Sequence, residues 1–204
     1  MNKLFIFDWD DTLFPTSWLT QNDSIVLLNG IINNQISSNN LINTHINLNY
    51  TTTSLNTILY YIDNTIFDLF NLIKKRLNGN IIIISNAKKI WLFNCLNFLP
   101  KTRNLYYNNV FYIISAQDRY GDKYDGGIMW KTLTYHDIIT YINQHDIVYN
   151  IGDDVYEFEA FKNLCLNPSF NKNINYFHYK LQKNPDFTLL MNEIKTLGDI
   201  FLHK

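Results

Sequence analysis

Three apolar runs in this chain each stop at polar groups able to hold a phosphate or a metal ion. Phe5-Ile6-Phe7 ends in Asp8-Trp9-Asp10-Asp11-Thr12, Ile81-Ile82-Ile83-Ile84 ends in Ser85-Asn86, and Ile147-Val148-Tyr149-Asn150-Ile151 ends in Gly152-Asp153-Asp154. Short apolar runs bounded by polar turns read as strands buried on both faces, the pattern of a parallel sheet covered by helices. In open α/β sheets ligands gather outside the carboxyl ends of the strands. Three such ends carrying this chemistry therefore predict one shared site.

The segments between the runs read as helices. Thr53 or Ser54 opens an amphipathic stretch in which Leu55, Ile58, Leu59, Ile62, Ile66, Leu69, Phe70, Ile73 and Leu77 keep a spacing of three and four, with Gly79 as its stop. Further helices are expected near Ala87–Phe98, from about Lys131 to Asn143, at Tyr156–Leu164 and from Pro185 onward, with strands at Val110–Ile114 and around Ile174–His178. Alternation of this kind predicts an α/β fold, a doubly wound parallel sheet, in a single domain over 1–204. Pro15 cannot continue a central strand, so 15–53 is read as a turn leading into a small helical insertion. Within it, Asp23 or Ser24 is expected to cap a short helix carrying Ile25, Leu28, Ile31 and Ile32, and Ser37 to Asn49 reads as loop.

Composition narrows the function classes. With 17 Lys and Arg against 18 Asp and Glu there is no basic field of the kind that draws a chain to nucleic acid. Only Cys95 and Cys165 are present, without metal-ligand neighbours, which reads as two unpaired thiols rather than a disulfide framework. Asp8, Asp10 and Asp11 interrupt the first apolar run too early for a signal peptide, and no apolar stretch approaches the roughly 20 residues of a membrane span. A cytoplasmic location is expected. None of the five histidines has a partner at ligand spacing.

Two carboxylates two residues apart on an extended strand share a face, so Asp8 and Asp10 are expected to point into one site, with Asp11 turned the other way as a structural residue. Such a pair can hold a hard cation, or divide into a nucleophile and an acid/base. Trp9, between them, is read as packing under the segment that follows. Gly152 suits a backbone that approaches a metal closely.

Taken in order, Asp8/Asp10/Thr12, Ser85, Lys131 and Gly152-Asp153-Asp154 resemble the four motifs of the haloacid dehalogenase superfamily, over residues 4 to about 157. The resemblance implies a Mg²⁺-dependent phosphatase with a Rossmannoid fold and a minimal cap, with 15–53 as a flap plus a small helical insertion. It assigns Asp8 as the nucleophile that forms an aspartyl-phosphate and Asp10 as general acid/base. Thr12 orients the carboxylates, while Ser85, Asn86 and Lys131 bind the phosphate, with Lys123 and Lys88 as rivals to Lys131. Mg²⁺ falls to Asp8, the backbone carbonyl of Asp10, Asp153 and Asp154, with Glu157 as the rival to Asp154. The Asp at position 10 favours phosphate esters over dehalogenation. The implied partner is a phosphorylated substrate, small or macromolecular, with no membrane and no particular call for nucleic acid. A phosphotransferase, a small-metabolite phosphatase and a non-catalytic module of the same fold stay open as alternatives.

Overall fold

In the computed structural model, which describes residues 1–21 and 52–203 (side chains from Leu55 in the second helix), the chain forms five strands and nine helices among those residues. The strands are β1 (Lys3–Phe7), β2 (Gly79–Ser85), β3 (Tyr112–Ser115), β4 (Ile147–Gly152) and β5 (Asn175–Lys180). The helices are α1 (Thr16–Gln21), α2 (Thr52–Lys75), α3 (Lys89–Asn97), α4 (Pro100–Tyr107), α5 (Ala116–Tyr120), α6 (Gly127–Asp137), α7 (Ile139–Ile142), α8 (Val155–Leu166) and α9 (Phe187–Leu202). All strand pairs are parallel, in the order β3-β2-β1-β4-β5. The fold is α/β, with a Rossmann-like arrangement of helices on both faces of the sheet.

Alternation along the central strands divides the core in two. Phe5, Phe7, Ile81, Ile83, Tyr149 and Ile151 face α2, α3, α4 and α9, while Leu4, Ile6, Ile82, Ile84 and Val148 face α6, α7 and α8. Both faces are dry because every residue of β1 after Lys3 is buried. That is why these strands read as continuous apolar runs rather than as alternating ones. Phe5 lies between Tyr149, stacked at 4.6 Å, and Phe201 of α9, edge-on at 4.9 Å. Truncating it to Ala would cost about 3–5 kcal/mol on the scale of buried aromatics.

The order reverses between β1 and β4. The chain steps outward from β1 through β2 to β3, then returns to β4 on the other flank of β1. A crevice opens at the carboxyl ends where order reverses, and Asp8 and Asp153 follow β1 and β4 directly.

Several boundaries differ from the expected ones. The long helix stops at Lys75, Asn78 adopts a left-handed φ of 50°, and Gly79 is the first residue of β2 rather than a helix stop. Lys131 lies one turn inside α6, not at its start, and α4 and α5 occupy segments read as connections. The last helix begins after Pro185, where the Asp186 side chain accepts from Leu189 N at 2.8 Å. The flap segment runs through buried Phe14 into α1, and Trp9 does pack beneath it, stacked on Phe14 at 5.8 Å. The helix and loop expected over 23–49 lie outside the described residues. Both cysteines are free. No helix among the described residues is long and apolar enough to cross a membrane.

Candidate active site

β1 ends at Phe7, yet Asp8 and Asp10 line one cleft, as their spacing of two predicts. Asp8 extends the ladder by one bond, its N–H donating to Ile151 O at 2.9 Å, and the chain then turns. The Trp9 carbonyl accepts from Leu13 and Phe14 N–H, both at 2.9 Å, and Asp11 takes a φ of 53°, a conformation Asp tolerates better than most residues. The turn follows Asp10, spanning 11–13, and closes in a bridge between Asp10 and Phe14. It also brings in Asp11, which lines the cleft while its carboxylate binds the backbone N–H (2.8 Å) and hydroxyl of Ser17 at the start of α1.

Around the carboxyl ends of β1, β2 and β4 lies a cleft of about 220 Å³, walled by Asp8, Asp10, Ser85, Asn86, Asp153, Asp154 and Glu157 among others. Lys131 is fully buried behind it. Its Nζ stands 2.9 Å from Asp8 Oδ1 and also hydrogen-bonds Glu157 Oε1. Thr12, equally buried, donates to Asp153 Oδ1 at 3.4 Å, so its hydroxyl steadies Asp153 rather than the Asp8/Asp10 pair. Ser85 accepts from Ala87 N–H at 3.0 Å and directs its own proton toward Asp10 Oδ2 at 3.4 Å. Asp10 Oδ1 receives the Trp91 indole N–H at 2.9 Å and the Thr16 hydroxyl.

Oxygen atoms of Asp8, Asp153 and Glu157 all lie within 4.8 Å of one another. Asp154 is not in that group. It caps α8, accepting from Val155 N at 2.6 Å, and pairs with Lys183 at 2.6 Å. Glu157 completes the capping box through Asp154 N–H at 3.1 Å, so a helix-start motif and a site carboxylate are the same side chain. Gly152 makes room for it: a Cβ there would lie 2.4 Å from Glu157 Cγ. Space for Glu157 is thus the observed reason for the glycine, rather than a close approach to a metal.

The charges do not balance. Among the described residues the cleft gathers four buried carboxylates, Asp8, Asp11, Asp153 and Glu157, beside one buried ammonium, Lys131, and burial pushes Asp8 up to about 8, with Glu157 and Asp10 adding to the rise and Lys131 opposing it. Burial, then Glu157 and Asp11, push Asp153 up to about 7. Lys131 is raised despite its burial, by the Asp8 and Glu157 carboxylates. Asp154 is lowered despite partial burial, chiefly through Lys183. Asp8 Oδ1 is buried against the Lys131 ammonium. An all-oxygen donor set with excess negative charge fits a hard divalent cation such as Mg²⁺.

Asp11, Trp91, Tyr156, Lys183 and Asn184 were not among the expected site residues. Trp91 gave no local signal, since its contact depends on how α3 packs. Lys183 and Asn184 follow β5, and a strand reaching Lys180 rather than His178 would have placed them at a carboxyl end. Compared with known families, curated proteins and solved structures, the chain matches no family model, no curated protein and no solved structure.

Proposed function

We propose that this protein is a phosphomonoester hydrolase of the haloacid dehalogenase type, working through an aspartyl-phosphate on Asp8. The observation that carries the reading is the placement of Asp8: a buried carboxylate at the point where strand order reverses, 2.9 Å from a buried lysine of α6 and beside the carboxylate that follows β4. Phosphoryl transfer needs an in-line nucleophile and cancellation of charge more than it needs covalent elaboration. These residues offer both.

In the first step a carboxylate oxygen of Asp8 bonds to phosphorus as the ester oxygen leaves, and Asp10 gives that oxygen a proton. Asp10 then takes a proton from the water that attacks phosphorus, which frees phosphate and restores Asp8. Trp91 and Thr16 fix Oδ1 of Asp10 and leave Oδ2, which meets only Ser85 at 3.4 Å, as the oxygen that carries the proton. Lys131 holds Asp8 in position and offers its charge to the phosphate; Ser85 and Asn86 line the place where phosphate oxygens would rest.

Mg²⁺ is the proposed cofactor, held by Asp8 and Asp153. Both oxygens of Glu157 are engaged, by Lys131 and by Asp154 N–H, so Glu157 acts through charge and by anchoring Lys131. The Asp10 carbonyl remains a proposed ligand, and Asp154, paired with Lys183, is replaced by Glu157 as the acid nearest the cation. Bound there, the cation would neutralise charge on the transferring phosphoryl group. Turnover of an aryl phosphate that requires Mg²⁺, stops with EDTA and is lost in Asp8→Asn would bear the reading out; metal-independent turnover, or none, would refute it.

A further inference from the structure

A second cleft, of about 420 Å³, abuts the first and is lined by Ile128 and Met129 of α6, Thr132, Asp125 and Tyr156 among others. Tyr156 walls both clefts. They touch again where Asn86, in the first, packs on Gly127, in the second: a Cβ on Gly127 would lie 2.5 Å from Asn86 Nδ2, so any other residue would push Asn86 toward the cleft.

Its chemistry differs from that of the carboxylate cleft. Ile128, Met129 and Tyr156 are large apolar or aromatic side chains left exposed, forming a shelf beside a strongly polar site. The Asp125 carboxylate on the rim disfavours a second phosphate. An apolar shelf with a few polar groups that fix orientation is the usual make-up of a small-molecule subsite.

We infer that this cleft is the leaving-group subsite, receiving an uncharged, ring-bearing alcohol with N–H or O–H donors while the phosphate lies against Asp8. The inference rests on the phosphatase reading for its orientation but makes its own claim about binding. The ring lies on Tyr156 and Met129, and its donors face the Asp125 carboxylate on the rim. A nucleoside and a phenol both present this chemistry.

The test compares adenosine 5′-monophosphate and O-phosphotyrosine with glycerol 2-phosphate, in wild-type protein and in Tyr156→Ala and Met129→Asp. Met129 is exposed in the first turn of α6, where Asp is well tolerated, so that variant keeps the fold. Ring-bearing esters should be preferred, and each substitution should raise their KM about tenfold more than that of glycerol 2-phosphate, the scale of one lost stacking partner. Whichever ring ester is preferred identifies the source. Equal effects on ring-bearing and ring-free esters would overturn the subsite and leave the phosphatase reading intact. If no ester is hydrolysed, calorimetry on the same proteins decides. Ring-dependent binding weakened by Met129→Asp would sustain the subsite without the phosphatase, and its absence would remove both.

Discussion

Lys131 Nζ lies 2.9 Å from Asp8 Oδ1, and both side chains are withdrawn from solvent. One comes from a helix on one face of the sheet and the other from the end of its central strand, so the contact reports that the whole α/β layer structure has formed. The same ammonium also holds Glu157. Breaking a buried ion pair by removing one partner leaves a charge uncompensated and costs about 3–5 kcal/mol. Lys131→Met should therefore lower stability to urea by that order, and should do so far less when Asp8→Asn and Glu157→Gln are present too. A Lys131→Met protein as stable as wild type would show that the pair contributes nothing.

Stability should depend jointly on pH and on Mg²⁺. Asp8 is raised from 3.8 to about 8 and Asp153 from 3.8 to about 7, so without cation the folded chain holds protons that the unfolded chain has released. These groups favour folding fully below pH 4, and their contribution is lost as pH rises through about 7 to 8. A cation must displace those protons, so its stabilisation grows over the same interval. Melting temperatures in EDTA and in Mg²⁺, at about pH 6 and about pH 8.5, should show a gap that widens at the higher pH. A gap that narrows would contradict the assignment of Asp8 and Asp153 to the cation.

Neighbouring acids after β4 should behave differently. Asp153→Asn removes a carboxylate from the cluster and should weaken Mg²⁺ binding strongly. Asp154→Asn disturbs a helix cap that Asn also fills, and should change Mg²⁺ affinity less than Glu157→Gln does. Titration calorimetry ranks the three variants. Asp154→Asn as the most damaging would reverse the roles assigned here.

Gly152→Ala tests the packing of Glu157. The new methyl group would lie 2.4 Å from Glu157 Cγ, so Glu157 must move and Lys131 loses a partner. A destabilisation of about 1–3 kcal/mol is expected, in the range of overpacked sites. Combined with Glu157→Ala, the same substitution should cost much less, as read from denaturation midpoints.

The layer structure was legible in the sequence because the central strands are apolar on both faces, and Phe5 to Phe7, Ile81 to Ile84 and Ile147 to Ile151 announce that directly. Asp8, Ser85 and Asp153 follow from the same signal, since each stands at the carboxyl end of a buried strand. The turn at Asp11 was not legible: alternation places that side chain away from Asp8 and Asp10, but a left-handed φ there brings it into the same cleft. Glu157 and Asp154 were ranked by adjacency, whereas the capping box that begins α8 turns Asp154 toward Lys183 and folds Glu157 over Gly152. Side chains delivered by helix packing, such as Trp91 against Asp10, leave no local pattern to read.

The central claim is that Asp8 is the nucleophile, and trapping the covalent intermediate tests it most directly. Protein turning over an aryl phosphate with Mg²⁺ is treated with borohydride, which reduces an acyl phosphate to an alcohol, and the peptide containing position 8 is sequenced by mass spectrometry. The account predicts homoserine at position 8 in wild-type protein and none in Asp8→Asn, whose turnover number falls by about four orders of magnitude or more. Sustained turnover with unmodified Asp8, or full activity in Asp8→Asn, would contradict it.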